Sequence, residues 1–567
     1  MKRNKLFVDT FSMIKNPSIC IVILFALASY GYAVSHFAIG VDDTDMRLYY
    51  ETGFAVNSGR WTLFFLNRIL HLNIISWPAL LVETIALVLL CTGALLWAGT
   101  FRLVFEECGL RIPEPIAAIA VALFVSDSIL SELWVYYLHN GMCIGYCLCA
   151  MALYLFYESM RRGCKRREVL LRLLFCSVLL TISVGCYESM LQCFVVGAIL
   201  IFFILHTVEA GSQAYGGPIV GWIVKGMAVC LAVVLLRTGV LYVIQQCYHL
   251  AELSIGYNQV FGGLLSEPGS ISLLIKKLYL RYYVQAFVYL PITVYVISMG
   301  VLCVISLLAI IKRRDIYPIL CVCAIVLFQV VMSIVGGGPE SYHSAQFLPI
   351  ISLSAFLLIG AYGVKCGRKK LVLTIQAVCG ILVCIFQSAD MNKWFIQDYR
   401  KYEEASTIMI HVAEDLLSGY DTSKPLVVEG ATLPSGELYE AACIPFSSWQ
   451  YRMICRCTDP IDIHLKEKFH MNYEGLGYAY AESPLLSVLT WAHNPFQNAS
   501  VLTYQQYTNL WAMLGYDEFT YIDREEWLEE AVALREEKDM PGYPQEGYIY
   551  ETDRYILISL SPSQSGE

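Results

Sequence analysis

For about two-thirds of its length the chain alternates long apolar runs with short polar breaks. The runs fall near 18–38, 77–105, 114–128, 141–158, 172–186, 190–208, 219–246, 284–311, 316–336, 345–364 and 371–388. A helix rises about 1.5 Å per residue, so about 20 apolar residues cover the hydrocarbon core of a bilayer. The pattern therefore predicts a helical membrane bundle with about eleven crossings. From about residue 389 the period changes. PLVVEGA and RYILISL alternate as strands do, and REEWLEEAVALREE has helical spacing, which predicts a small mixed α/β domain. The expected organisation is a transmembrane domain over 1–388 and a separate domain over 389–567, with no internal repeat and no low-complexity linker between them.

The polar breaks carry a direction. Lys and Arg concentrate at Arg161, Arg162, Lys165, Arg166 and Arg167, at Lys312, Arg313 and Arg314, and at Lys365, Arg368, Lys369 and Lys370. Alternate breaks placed inside put all of these in the cytoplasm together with the N-terminal MKRNK, as the positive-inside rule requires. The first run lacks a small-x-small cleavage site and reads as a retained crossing rather than a signal peptide. An odd number of crossings then puts the segment after Gln387 outside, as expected for a multi-pass protein of the bacterial cytoplasmic membrane. Two outside loops, 39–73 and 247–283, are long, and long loops in a compact bundle are usually functional.

Composition sharpens the picture. Of 567 residues 57% are hydrophobic and 15% charged, and mean hydropathy is +0.56, so most of the chain faces lipid. A net charge of −9 supplies no basic face for phosphate backbones and argues against a nucleic-acid partner. Of 21 cysteines, all but Cys443, Cys455 and Cys457 precede residue 389, mostly singly within apolar runs where Cys acts as a small hydrophobe. Those three leave a disulfide open, and their spacing is not that of a zinc site.

The candidate chemistry lies in the outside loops. In IGVDDTDMRLYYETGFAVNSGRWTLFFLNRIL, Asp42, Asp43 and Asp45 follow the first crossing closely. A carboxylate there either serves as a general base towards an acceptor hydroxyl or belongs to a solvated acidic loop. Arg47, Arg60 and Arg68 share the loop, where basic residues are disfavoured. They either hold a phosphate through the guanidinium fork or pair with the nearby aspartates. In LLIKKLYLRYYVQAF, Lys276, Lys277 and Arg281 stand beside Tyr279, Tyr282 and Tyr283, either as an interfacial anchor or as a cluster that neutralises a leaving phosphate. Glu83, Glu188, Lys225 and Arg237 are ionisable residues in or beside apolar runs, and Glu188 with Tyr187 falls at an outer end. The turn GGGPESYHSAQFLP adds Glu340, Tyr342, His343 and Gln346. Neither a P-loop nor a dinucleotide-binding glycine fingerprint occurs, so an activated donor is expected to arrive on a lipid carrier rather than as a nucleotide. No organic cofactor is expected, and a divalent ion is left open.

The segments SHFAIGVDDT, SGRWTLFFLN, VGCYES and SADMNKWFIQDYRKYEEA, in this order across residues 20–410, resemble the bacterial glucosyltransferase type II family of O-antigen and serotype conversion. The likeness departs at Glu188, where Gln is expected, and at His343, where Arg often stands. It implies a GT-C-like membrane glycosyltransferase that takes a hexose from a polyprenyl-phosphate-sugar donor and places it on a cell-envelope glycan outside the membrane. The matching positions are Asp42, Asp43, Arg60 and Trp61. The resemblance implies Asp42 or Asp43 as base in an inverting transfer, and Arg47, Arg60, Lys276, Lys277 and Arg281 against the donor phosphate. It leaves Trp61, Asp45, Tyr187, Glu188 and His343 for sugar and acceptor. The competing expectations are a transporter or flippase of a lipid-linked glycan, for which internal repeats and broken helices are missing, and an assembly protein acting through its C-terminal domain.

Overall fold

The computed structural model describes residues 5–40, 56, 59–70, 78–134, 139–161, 165–208, 219–248, 289–335, 345–431, 485–487, 500–501, 504–521 and 525–561. The chain divides into two compact units, Met1–Ser35 with Tyr50–Asn392, and His36–Tyr49 with Lys393–Glu567.

The first unit is all helix among the described residues. A short α1, Lys5–Lys15, bends by 79° into α2, Ile19–Ser35. Then follow α3, Trp61–Leu70, α4, Ala79–Glu107, and α5, Glu114–Val125. A 3-10 turn over Ser128–Leu130 and one helical turn over Ser131–Trp134 lead to α6, His139–Ser159, α7, Arg166–Cys186, and α8, Met190–Thr207. The remaining helices are α9, Ile219–Tyr248, α10, Leu290–Arg313, α11, Tyr317–Val335, α12, Leu348–Lys365, and α13, Lys369–Gly419.

Nine described segments are long and apolar enough to cross a membrane, and the bent α1–α2 pair makes a tenth. The expected eleventh, α11, is apolar over a shorter stretch, Tyr317–Met332. Large apolar side chains stand exposed along these helices, as at Leu371, Ile375, Val378, Leu382, Ile385 and Phe386 of α13, a stripe at helical spacing that suits contact with lipid. The protein is a helical membrane protein. Two expectations change in detail. The first long loop contains the helix α3, and α13 runs on beyond 388 because no Gly or Pro interrupts it between Gly380 and Gly419.

The bundle is held by close approach and by polar links between helices, as expected where lipid is as apolar as the side chains it competes with. α6 packs against both α4 and α7, and α5 against α2 and α12. Gly93 of α4 and Gly197 of α8 make room for Tyr146 and Trp97. Tyr146 donates to Oε1 of Gln346 at 2.7 Å, and the Ser183 hydroxyl to the Gly145 carbonyl at 2.7 Å. One end of the bundle is laced with ion pairs. Arg102 grips Glu114 bidentately at 2.7 and 2.8 Å and lies 3.6 Å from Asp9, while Glu107 meets Arg161, Lys5 and the Tyr157 hydroxyl. Lys225 donates to the Ser159 carbonyl at 3.1 Å at the same end, which accounts for one ionisable residue of an apolar run.

The second unit has a five-stranded sheet of β1, Leu426–Ala431, β2, Leu485–Ser487, β3, Ser500–Val501, β4, Ile549–Glu551, and β5, Ile556–Ser559, in the order β3-β2-β1-β5-β4. β1 runs parallel to β2 and β5, and the outer pairs are antiparallel. Alternation along β1 sorts its side chains. Leu426 and Val428 join Ala405, Met409, Val412, Ala413 and Leu416 of α13 and Trp511 of α14, Tyr504–Met513. Val427 joins Ala531 of α15, Glu525–Glu537, on the opposite face.

Candidate functional site

The ion-paired end of the bundle holds the end of α4, the start of α5 and the end of α6. α7 starts there too, since Arg172 donates to the Glu158 carbonyl at 2.6 Å, so its far terminus, Cys186, lies at the opposite end. There the candidate residues converge. Gly59 stands at φ +83°, a left-handed conformation that favours glycine, and its N–H donates to the Val56 carbonyl at 2.9 Å. The tight turn delivers Arg60 to the start of α3, where its carbonyl accepts from Phe64. α3 then lies on α7: the Thr62 hydroxyl donates to the Ile182 carbonyl at 2.8 Å, and Trp61 and Thr62 cover Gly185 so closely that a Cβ there would collide with both.

This docking sets Arg60 against the start of the next turn. Tyr187 caps α7 in an extended conformation, is buried, and presents its ring to the Arg60 guanidinium at 4.8 Å. Arg60 Nε lies 3.6 Å from Oε2 of Glu188, whose side chain is 48% exposed. The buried ring fixes the guanidinium, with about 1–2 kcal/mol available from the cation–π contact. The exposed ion pair contributes at most about 1 kcal/mol, so an incoming phosphate group can compete with Glu188. Trp61 has a buried indole N–H with no partner among the described residues, a donor in want of an acceptor.

Arg237 of α9 completes the group. Its guanidinium lies against Gly59 where a side chain would otherwise be, and a Cβ built there would collide with Nη2. Arg68 stacks on Phe64 and Tyr248 at 5.8 and 5.5 Å, tying α3 to the last turn of α9.

Thus Arg60, Trp61, Tyr187 and Glu188 are brought together. Asp42, Asp43, Asp45, Arg47, Lys276, Lys277, Arg281 and His343, like Cys443, Cys455 and Cys457, lie outside the described residues. A second polar group was not anticipated. Asp127 and Glu132 are fully buried just past α5, with Asp127 Oδ1 accepting from the Ile129 N–H at 3.2 Å, the Ser126 hydroxyl bonded to Gln387 at 3.1 Å, and the Trp134 indole bonded to Glu83 at 2.6 Å. Only a run of alternating small polar and apolar letters, VSDSILSELW, hints at it in sequence. Among the described residues no group of three or more His, Cys, Asp or Glu could hold a metal ion.

A family model described as Glucosyl transferase GtrII matches residues 31–360, more than half of the chain. The chain belongs to the GtrII glucosyltransferase family. Neither the curated proteins nor the solved structures give a match. The GtrII match spans α3 to α11 entirely and most of α12, and so includes every side chain of the Arg60 group. A GtrII chain with nine membrane-length apolar helices among its described residues is a membrane glucosyltransferase. Chemically the group offers a guanidinium fixed on a ring, a displaceable counter-charge, an unmet indole N–H and a second guanidinium, a set suited to an anionic leaving group beside a sugar.

Proposed function

We propose that this glucosyltransferase moves a hexose, glucose by its family, from a polyprenyl-phosphate-sugar donor to a cell-envelope glycan on the outer face of the bacterial cytoplasmic membrane. The observation that carries the reading is Arg60, held on the Tyr187 ring and paired with the half-exposed Glu188. Such an arginine binds phosphate in a fixed orientation and stabilises it as it leaves. In this reaction Asp42 or Asp43 takes the proton of the acceptor hydroxyl, whose oxygen attacks the anomeric carbon. The bond from that carbon to the phosphate oxygen breaks with inversion, and polyprenyl phosphate departs. The leaving phosphate needs positive charge rather than a proton, and Arg47, Lys276, Lys277 and Arg281 join Arg60 in that role. Trp61, Tyr187, Asp45, Glu188 and His343 serve the sugar and the acceptor, the indole N–H of Trp61 finding its partner in a sugar oxygen.

The experiment is reconstitution in lipid with a panel of polyprenyl-phosphate sugars and an envelope acceptor, following sugar transfer and release of polyprenyl phosphate. Transfer by the wild type, and its loss in Asp42→Asn, Asp43→Asn or the double variant, supports the reading. Full transfer in the folded double variant removes the aspartate base, and no turnover with any donor removes the reaction.

A further inference from the structure

Arg237 has no place in the reaction as written, yet its setting is unusual. It lies well inside α9, about 16 Å before the helix end at Tyr248 given 1.5 Å per residue. Val234, Leu235, Leu236 and Val243 around it are exposed apolar side chains, whereas Val233 and Ile244, which share its face, are buried, and only 17% of the most apolar stretch of α9 is buried in the protein. A guanidinium on a lipid-facing helix is costly unless it meets an anion or a polar cavity. Among the described residues Arg237 makes no hydrogen bond or ion pair, and its Nε is buried without a partner. Glu188 is engaged by Arg60. Lys225, the other cation of α9, instead finds a carbonyl at the ion-paired end.

What Arg237 does touch is backbone. Gly59 leaves out the one atom group that would push the guanidinium away, and its positive φ excludes ordinary side chains from the position on a second ground. The guanidinium is therefore seated on the residue directly preceding Arg60. One fork is fixed by a ring and paired with Glu188, and the other is without a partner among the described residues, at the edge between the buried and the exposed sides of α9. Two forks meeting from different helices match the two free oxygens of the donor's phosphodiester and the third that polyprenyl phosphate gains as the sugar leaves. A lipid phosphate can reach this position by lateral diffusion along the exposed apolar side of α9, with its chain still in the bilayer.

We propose that Arg237 and Arg60 together bind the phosphate of a polyprenyl-phosphate lipid, which enters from the bilayer along α9 and over Gly59. This rests on the proposed donor class and deepens it, by naming the second phosphate ligand and the side of entry.

The test uses the full chain in discs of neutral phosphatidylcholine, as wild type, Arg237→Met and Arg237→Lys. Methionine is apolar and flexible enough for a position at the edge of the exposed side of α9, so the first variant is expected to insert, which its melting temperature checks. Binding is titrated with polyprenyl phosphate, the matching unphosphorylated polyprenol, phosphatidylglycerol and inorganic phosphate, and transfer from polyprenyl-phosphate glucose is followed in parallel. Wild type should prefer polyprenyl phosphate to polyprenol and phosphatidylglycerol by about tenfold or more, Arg237→Met should lose about tenfold or more, and Arg237→Lys should recover part of it. If Arg237→Met does not fold, a several-fold loss in Arg237→Lys supports the same conclusion, because lysine keeps the charge and loses the fork. Unchanged binding in the variants, while wild type discriminates and transfers, overturns the role of Arg237 and leaves the donor class standing. Equal binding of phosphatidylglycerol makes the position a general lipid contact, and competition by inorganic phosphate alone makes it a free-anion site. Each of these overturns the proposal. A wild type that neither prefers the phosphate nor transfers from any such donor removes the donor class itself.

Discussion

At the scale of single residues, Arg60 shows how a flexible cation becomes a positioned one. Its backbone is set by the turn at Gly59, its guanidinium is held against the ring of Tyr187, and its charge is paired with Glu188. Arg60→Ala should lower transfer about 100-fold or more in folded protein, with partial recovery in Arg60→Lys, read as kcat/KM in proteoliposomes. Equal activity in the alanine variant would remove Arg60 from the site. Glu188→Gln should leave the melting temperature nearly unchanged, since an exposed pair is worth at most about 1 kcal/mol. The letters GRW and CYES mark these residues in the sequence, but not their meeting, because more than a hundred positions separate them and no local rule sets how α3 lies on α7. Arg237 was legible as an ion in an apolar run, whereas its seat on Gly59 is a tertiary fact. Asp127 and Glu132 escaped because two carboxylates among serines and leucines look like an ordinary helix end until burial is known.

At the scale of elements, apolar length and strand alternation served well. The runs at 77–105, 172–186 and 345–364 correspond to α4, α7 and α12, and PLVVEGA, RYILISL and REEWLEEAVALREE correspond to β1, β5 and α15. The pairing of β1 with β5 was not legible, since it joins segments far apart in the chain by backbone bonds that carry no sequence signal. Nor was the docking of α1 on α4, which depends on Arg102 meeting Asp9 and Glu114. Arg102 is nearly fully buried, so Arg102→Ala strands two carboxylates and should cost about 3 kcal/mol or more, seen as a lower melting temperature in detergent. An unchanged melting point would mean that the triad does not anchor α1. In the second unit, Tyr548 joins the sheet to α13 by donating to Asp415 at 2.6 Å. Burial, then the Asp415 carboxylate, raise the Tyr548 phenol above its ordinary value of 10.0. A phenol raised on folding stabilises fully below pH 10 and loses its contribution as pH climbs through the raised value. Stability of this unit should hold through neutral pH and fall above about pH 10, and Tyr548→Phe should flatten that alkaline slope in a pH series of melting curves. An identical slope in the variant would assign the alkaline loss to other groups.

For the whole molecule, the charge pattern distinguishes the two ends of the bundle. The ion pairs of Arg102, Glu107, Glu158 and Arg161 gather helix ends beside the basic breaks, and the Arg60 group lies at the other end. Under the proposed topology that second end faces out. In a chain stripped of its reactive native thiols, Glu188→Cys should react with an impermeant maleimide in intact cells and Arg313→Cys only after permeabilisation; the reverse pattern would invert the protein. Fold class was legible at this scale because hydropathy is an average over many residues, and averages survive local error. The site was less so, because it depends on a few exact meetings.

The sparse burial of α9 changes what it means to isolate this protein. A helix so little covered by its own chain has one of its faces supplied by acyl chains, so lipid there acts as structural material rather than as surroundings. Solubilisation in micelles removes that material and substitutes a fluid, curved mimic, leaving the exposed side of α9 differently covered while every helix is still present. A preparation can then be intact by spectroscopy and yet incomplete as a catalyst, and its missing part is a solvent.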